Sequence, residues 1–421
     1  KILEVNYAFT TNKSISDRDT YDYDPLTQEF DSINKPLTNY FENVFKSSRL
    51  GTNFRVKNKK YDWQVGGAVQ FAALENLSNR ATTGKDSTMR QTYTNFFPNA
   101  SFNFNLGARK TLRFQYRGRT RAPNITQLQD VLDVSNPLRI RSGNPELKQE
   151  FDNNVRLSYN TMNLRNFLFF NFNLSANATS NRIVNTIDSL DNAVQLLKPE
   201  NVDGAFNINF NGTVGIPLKK DTTGRRSPVN LNLTTTFGYN RDVSKLYKQV
   251  NFNYTRRIGE RINFNYNIQD KLDLSATAAF NYNDARYSVQ ENLNYKYFNQ
   301  NYSLDVTYTF FKNFMLNSDF DYFVNTGRAD GFNQSIPLWN ASFSWLFFKK
   351  RNGELKLRVI DILSQNKNID RIVGDNFLED TYTEVLQRYF LVSFMYNFNK
   401  FTGGKNNMPS GRRRDGRRFN D

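Results

Sequence analysis

The residues in this sequence best placed to act on another molecule form one alternating row: Arg113, Gln115, Arg117, Arg119 and Arg121, interleaved with Leu112, Phe114 and Tyr116. A period of two sets the two groups on opposite faces of one β-strand. Guanidiniums lined up on a water-filled lumen wall would favour anions, because each is a fixed charge carrying a fork of donors. The same row could instead be a structural network, paired with acids on neighbouring strands or with a plug filling the lumen. Further along, Asp319 and Asp321 share a face and could meet such arginines, bind a cation, or line a solvated wall. The chain contains no His and no Cys. That removes the Ser–His pair, the usual general base, thiolate metal sites and any disulfide. No phosphate-cradling glycine loop or close ligand cluster appears, and nothing suggests a carboxylate-only enzyme. The expectation is binding or passage, without catalytic residues, cofactor or metal.

Those side chains must be held by strands, and the last stretch shows how the strands are written. In Arg388 to Lys400, Phe390, Val392, Phe394, Tyr396 and Phe398 fall on one face. Ser393, Asn397 and Asn399 fall on the other, among Tyr389, Leu391 and Met395. NINFN (207–211), INFNYNI (262–268) and LDVTYTF (304–310) repeat the alternation. A soluble all-β repeat protein would alternate too, but so many aromatic faces would need a second apolar layer. A closed barrel with lipid outside and water inside satisfies every strand at once. The predicted fold is therefore all-β, a transmembrane antiparallel β-barrel.

Composition agrees. With 421 residues the chain could hold two or three soluble domains or one large barrel. Mean hydropathy is −0.68, and no apolar run reaches the ~18 residues of a spanning helix. The 38 Phe and 22 Tyr are numerous enough to furnish many lipid-facing strands.

Read in order, long and short connections alternate between about sixteen strands, as in barrels with long outer loops and short periplasmic turns. The long connections include Asp17 to Lys35, Asn79 to Arg90, and the most irregular one, Ala122 to Gln149 with Pro123, Pro137 and Pro145. The short turns carry Lys57, Lys59, Lys60, Arg109, Lys110, Lys219, Lys220, Arg225, Arg226, Lys271, Lys312, Lys349, Lys350 and Arg351. These would meet anionic headgroups of the periplasmic leaflet, or be polar simply because turns are solvated. The barrel is assigned to residues 1–401. Residues 402–421, with Arg412, Arg413, Arg414, Arg417 and Arg418, read as a disordered basic periplasmic tail. No nucleic-acid-binding motif accompanies the net charge of +16, so lipid headgroups or a periplasmic protein are its expected partners. No signal peptide precedes Lys1, and an exported barrel needs one, so the expectation is a piece of a longer protein.

The irregular loop also carries a signature. The stretch Arg121 to Phe151 resembles a segment of TonB-dependent-receptor-like barrels of Gram-negative bacteria, patterned R-x-P…QL…NP…GNP-x-L-x-x-E. The matching residues are Arg121, Pro123, Gln127, Leu128, Asn136, Pro137, Gly143, Asn144, Pro145, Leu147 and Glu150. Gly331 to Trp345, Glu354 to Asn366 and Arg388 to Phe401 resemble the closing strands of the same outer-membrane β-barrel family. The resemblance implies a barrel of about 22 strands around an N-terminal plug. Neither plug nor early strands are seen here, so the chain looks like the C-terminal two-thirds of such a barrel. Import or binding of a bulky nutrient is the implied function, with outer-membrane lipid as surroundings, TonB as partner through a plug, and a surface lipoprotein or other complex subunits as further partners. A structural barrel subunit and a diffusive porin are the alternatives. The loop residues of the signature are read as structural, and no binding site is carried over.

Overall fold

The structure, a computed structural model, describes residues 1–398 apart from 36–37, 81–85, 129, 131, 135, 137, 164–165, 190–193, 220–226, 269–270, 328–332, 349–350 and 374–377. Its first strands are β1 (Ile2–Arg18), β2 (Tyr21–Asp24), β3 (Glu29–Ile33), β4 (Asn39–Lys57), β5 (Tyr61–Arg80), β6 (Asp86–Gly107) and β7 (Lys110–Arg121). A one-turn helix α1 (Ile125–Leu128) precedes β8 (Arg139–Arg141), β9 (Glu150–Met162), β10 (Phe169–Ser180), β11 (Arg182–Ser189), β12 (Gln195–Val202) and β13 (Ala205–Pro217). Next come β14 (Val229–Leu246), β15 (Gln249–Ile268), β16 (Leu272–Tyr287), β17 (Tyr295–Phe310) and β18 (Phe314–Thr326). The last are β19 (Gln334–Phe347), β20 (Gly353–Ile360), β21 (Asn368–Val373), β22 (Leu378–Thr383) and β23 (Tyr389–Tyr396).

Antiparallel pairing runs β1–β4–β5–β6–β7–β9–β10–β13 and on through β14–β15–β16–β17–β18–β19–β20–β23. These are the sixteen strands expected from the alternation. Short strands β8, β11 and β12 bring the sheet to 19, and β2–β3 and β21–β22 are separate hairpins. Among the described residues the register pairs β1 with β4 alone and β23 with β20 alone.

The connections differ from expectation in three places. Asp17 to Lys35 contains the end of β1 and the β2–β3 hairpin, and most of Asn79 to Arg90 belongs to the ends of β5 and β6. The reason is that hydrogen-bonded pairing outlasts the apolar pattern. A tilted strand crosses lipid in ~9–11 residues, whereas β1 has 17 and β6 has 22. Beyond the lipid both faces can be polar. The alternation of long and short connections also breaks once, since only Tyr247 and Lys248 join β14 to β15 at the long-loop end.

Opposed residues share a face, so the register sorts every side chain. Phe54, Val65, Ala100, Tyr116, Val155, Ala176 and Ile208 follow one another across successive strands. That face is apolar and open, with Phe9, Phe71, Phe96 and Phe394 each 60–64% exposed. Such an expanse is a lipid surface. Rings pack along it between strands, Phe54 on Trp63 at 5.6 Å and Phe172 on Phe210 at 5.1 Å. The opposite face is polar and bonded to itself, with Asn263 donating to Thr277 (2.7 Å) and Thr307 to Asn317 (2.8 Å). The short-turn end carries Lys57, Lys59, Lys60, Arg109, Lys110, Lys219, Lys271, Lys312 and Arg351. Lys220, Arg225, Arg226, Lys349, Lys350 and the whole 402–421 tail lie outside the described residues.

Candidate functional site

Pairing of β6, β7 and β9 fixes the arginine row. Arg113 stands opposite Asn103 and Ser158, and Arg117 opposite Asn99 and Asn154. Arg119 stands opposite Asp152 and Arg121 opposite Glu150. All four therefore sit on the polar face, with Leu112, Phe114 and Tyr116 on the lipid face.

The row divides in two. Toward the long loops, Arg119 Nε lies 3.6 Å from Asp152, while Arg121 reaches Glu150 at 3.4 Å and Asp152 at 3.5 Å. Arg182 adds a longer contact to Glu150 at 3.9 Å. Both carboxylate side chains are only 5% exposed. Thr179 Oγ1 donates to Asp152 and the Ile183 amide donates to Glu150, each at 2.7 Å. This half is neutralised and built in.

The other half is not. Arg113 and Arg117 have no acid within ion-pair distance among the described residues, and neither does Arg156 of β9, which stands opposite Gln115. Arg113, Gln115 and Arg156 line a cavity of about 300 Å³ with Ser158, Asn173 and Asn209. Arg156 went unrecognised in the sequence because no other arginine shares its strand. Its only signal was its parity with Asn154 and Ser158. Together these guanidiniums and amides offer donors suited to carboxylate or phosphate groups.

Toward the long loops, the irregular loop folds back on the polar wall of β4–β6. Leu128 and Leu147 are each 1% exposed and pack with Leu74 of β5, flanked by Phe45, Tyr93 and Ile183. Gln91 donates to the Pro145 carbonyl at 2.5 Å and Asn95 to Gln149 at 2.7 Å, binding the loop to β6. Asn124 caps α1 by accepting from the Gln127 amide (2.8 Å), and Asn144 accepts from the Glu146 amide (3.0 Å) while donating to the Pro199 carbonyl (3.0 Å). Asn136 accepts from the Leu138 amide at 3.0 Å. The signature residues thus hold the insert together. Pro137 lies outside the described residues.

Asp319 stands opposite Asp305 and Asn340, and Asn340 donates to it; Asp321 stands opposite Ser303 and Leu338. Strand β18 is far from β7 in the pairing order, so the register does not bring these acids to the arginine row.

A meander with one lipid face, one polar face and a loop folded onto the polar wall defines an outer-membrane β-barrel. The sequence pattern of the outer membrane protein beta-barrel family matches residues 1–246 and 230–396, and the chain belongs to that family. It is an outer-membrane protein embedded in lipid. No curated protein matches. Among solved structures it is similar to the ferric enterobactin receptor PfeA of Pseudomonas aeruginosa, at 15% identity over 76% of this chain and 54% of that one, TM-score 0.38. It is also similar to the outer-membrane transporter YddB of Escherichia coli (11%, 85% and 59%, TM-score 0.29) and to OmpT of Vibrio cholerae (10%, 79% and 92%, TM-score 0.29). The chain spans about half the length of the PfeA receptor chain.

Proposed function

We propose that this chain is barrel wall of a TonB-dependent-receptor-like protein that binds and imports a bulky nutrient, with the short-turn end in the periplasm. The observation that carries this reading is the lumen patch of Arg113, Arg117 and Arg156, charged, free of acidic partners among the described residues, and on the same face as the loop insert docked on β4–β6. Such a patch suits contact with an anionic cargo or an acidic plug surface. Two further features support it. Sheet edges facing lipid leave backbone groups without partners, so β1 and β23 call for additional strands of a longer chain. The signature loop and closing strands resemble the receptor-like group. TonB would act through a plug, and a surface lipoprotein would dock on the long loops.

The test is uptake by cells carrying the full-length gene with Arg113→Gln, Arg117→Gln and Arg156→Gln together. Loss of uptake of an anionic nutrient with normal barrel abundance is the expected result. If deleting the whole gene leaves every nutrient's uptake unchanged, the import reading fails and a structural barrel takes its place.

A further inference from the structure

The cavity of about 300 Å³ on the lumen wall is a grid of side chains two rows deep and four strands wide. The register sets Arg113, Ser158, Asn173 and Asn211 opposite one another in one row, and Gln115, Arg156, Ser175 and Asn209 in the next. Neighbouring strands stand ~4.8 Å apart, so the arginines of β7 and β9 are separated from the asparagines of β13 by roughly 10–14 Å. Leu157, Leu174 and Phe210 also border the cavity, but their register turns their side chains to the lipid face.

Little of the bonding capacity of this grid is used within the protein. Asn173 donates to Asn171 (2.5 Å) and Asn209 to Asn207 (3.2 Å), and the other six side chains make no hydrogen bond among the described residues. Above and below, the polar face is bonded to itself. Toward the short turns Asn171 donates to Asn160, and Thr213 bonds Thr234 at 3.1 Å. Toward the long loops Thr179 donates to Asp152 at 2.7 Å.

The eight side chains also discriminate between ligand classes. None is acidic, so a cationic ligand meets no counter-charge. None is aromatic or apolar, so a flat or hydrophobic body has nothing to stack on or to be buried against. Two guanidiniums at one end suit an oxyanion, carboxylate or phosphate. Elsewhere the grid is amide and hydroxyl, and each such side chain both donates and accepts. Sugar hydroxyls do the same, whereas a peptide N–H or C=O does only one of the two.

We infer that the grid binds an acidic sugar unit of an oligosaccharide, its oxyanion held by Arg113 and Arg156 and its hydroxyls by Ser175, Asn209 and Asn211. The volume is at the lower end for a small-molecule site, which suits one acidic unit rather than a whole oligosaccharide. The cargo so described is that of the import reading, on which this assignment rests.

The experiment is isothermal titration calorimetry of the full-length protein in detergent. The probes are trigalacturonate, phosphorylated mannopentaose, the same two sugars after carboxyl reduction or phosphatase treatment, citrate, and triglutamate. At least one acidic sugar is expected to bind, its charge-free form at least tenfold more weakly, and citrate and triglutamate not measurably. Which acidic sugar binds separates carboxylate from phosphate. Arg113→Gln and Arg156→Gln should each weaken acidic-sugar binding about tenfold. Neither arginine holds another protein group, so these variants fold. Asn209→Ala with Asn211→Ala should weaken the acidic and charge-free sugars by the same factor. Arg49, which lies over the Phe97 ring at 4.3 Å on the β4–β6 wall, is the control, and Arg49→Gln leaves binding unchanged. Binding of neither acidic sugar, as when an acidic plug surface fills the grid, overturns the inference. So does equal binding of the charge-free sugars, tighter binding of citrate or triglutamate, or an equal loss in Arg49→Gln. Calorimetry needs no energised import. Absent sugar binding with uptake intact therefore overturns this assignment alone, and sugar binding by a protein whose deletion changes no uptake overturns import alone.

Discussion

Arg121 bridges two buried acids at once, lying 3.4 Å from Glu150 and 3.5 Å from Asp152, while its own side chain stays 59% exposed. The two ends of this contact are therefore unequal. Removing the arginine leaves carboxylates that water barely reaches, whereas removing a carboxylate leaves a guanidinium that water can solvate. Arg121→Ala is expected to destabilise by about 2 kcal/mol, and Glu150→Gln by about 1 kcal/mol through its weakened bond to the Ile183 amide. Urea unfolding of the two variants in detergent checks the order. Equal losses would mean that Arg119 and Arg182 replace Arg121 fully.

Leu147 and Leu128 should decide whether the loop insert stays on the wall. Each is 1% exposed in a small core shared with Leu74. Leu147→Ala removes buried methyls from a site with few neighbours able to close up, a loss of about 2–4 kcal/mol. Because the strand meander does not depend on this core, the loss should be local. Hydrogen exchange is expected to rise across 122–128 and 143–149 while β9 and β10 remain protected. Uniform exposure of the strands would show that the insert is part of one cooperative unit with the barrel.

How far the sequence revealed this arrangement depends on the layer. The sixteen meander strands were legible because lipid on one side and water on the other impose a strict period of two on each. Strands β2, β3, β8, β11, β12, β21 and β22 were not, since each is only three to eight residues long and lies in a connection, away from the lipid that imposes the period. Likewise the row of Arg113, Arg117, Arg119 and Arg121 was visible as a row, but its division was hidden. Glu150 and Asp152 open β9 at the very edge of what reads as loop, and only the register sets them opposite Arg121 and Arg119. Leu128 and Leu147 gave no periodic signal because a docking loop buries isolated side chains.

Glu42 offers a pH-dependent contact outside the lipid zone. Its carboxylate lies 2.7 Å from Lys13 Nζ and accepts from the Tyr40 hydroxyl at 2.9 Å. The hydrogen bond from Lys13, then that from Tyr40, holds the carboxyl below its usual range, and the same bond raises the Lys13 ammonium. A depressed carboxyl stabilises the fold above its unfolded value and loses that contribution as pH falls through the folded one. The raised ammonium contributes below its unfolded value and fades only as pH rises through the folded one. Amide exchange at 12–15 and 40–44, corrected for intrinsic rates, should stay level near neutrality and quicken in acid below the ordinary glutamate range. Glu42→Gln should remove the acid response; its persistence would place the sensing group elsewhere.

The tight turn between β14 and β15 holds two residues in a conformation that suits neither. Tyr247 has φ of 48° and Lys248 of 68°, the paired positive values of a two-residue hairpin turn that glycine and asparagine favour. Side chains with a Cβ are strained there. The turn persists because its flanks are anchored: Leu246 is fully buried with Ile187 and Leu197, and the Tyr247 amide donates to the Ile187 carbonyl at 2.8 Å. Lys248→Gly should relieve strain without touching these anchors and stabilise by about 0.5–1 kcal/mol. Leu246→Ala should act oppositely, by about 2–4 kcal/mol, because it empties the contact that fixes the turn. Thermal unfolding of both variants gives the comparison. A destabilised Lys248→Gly would mean that the lysine stem contributes packing at the hairpin tip that outweighs its backbone strain.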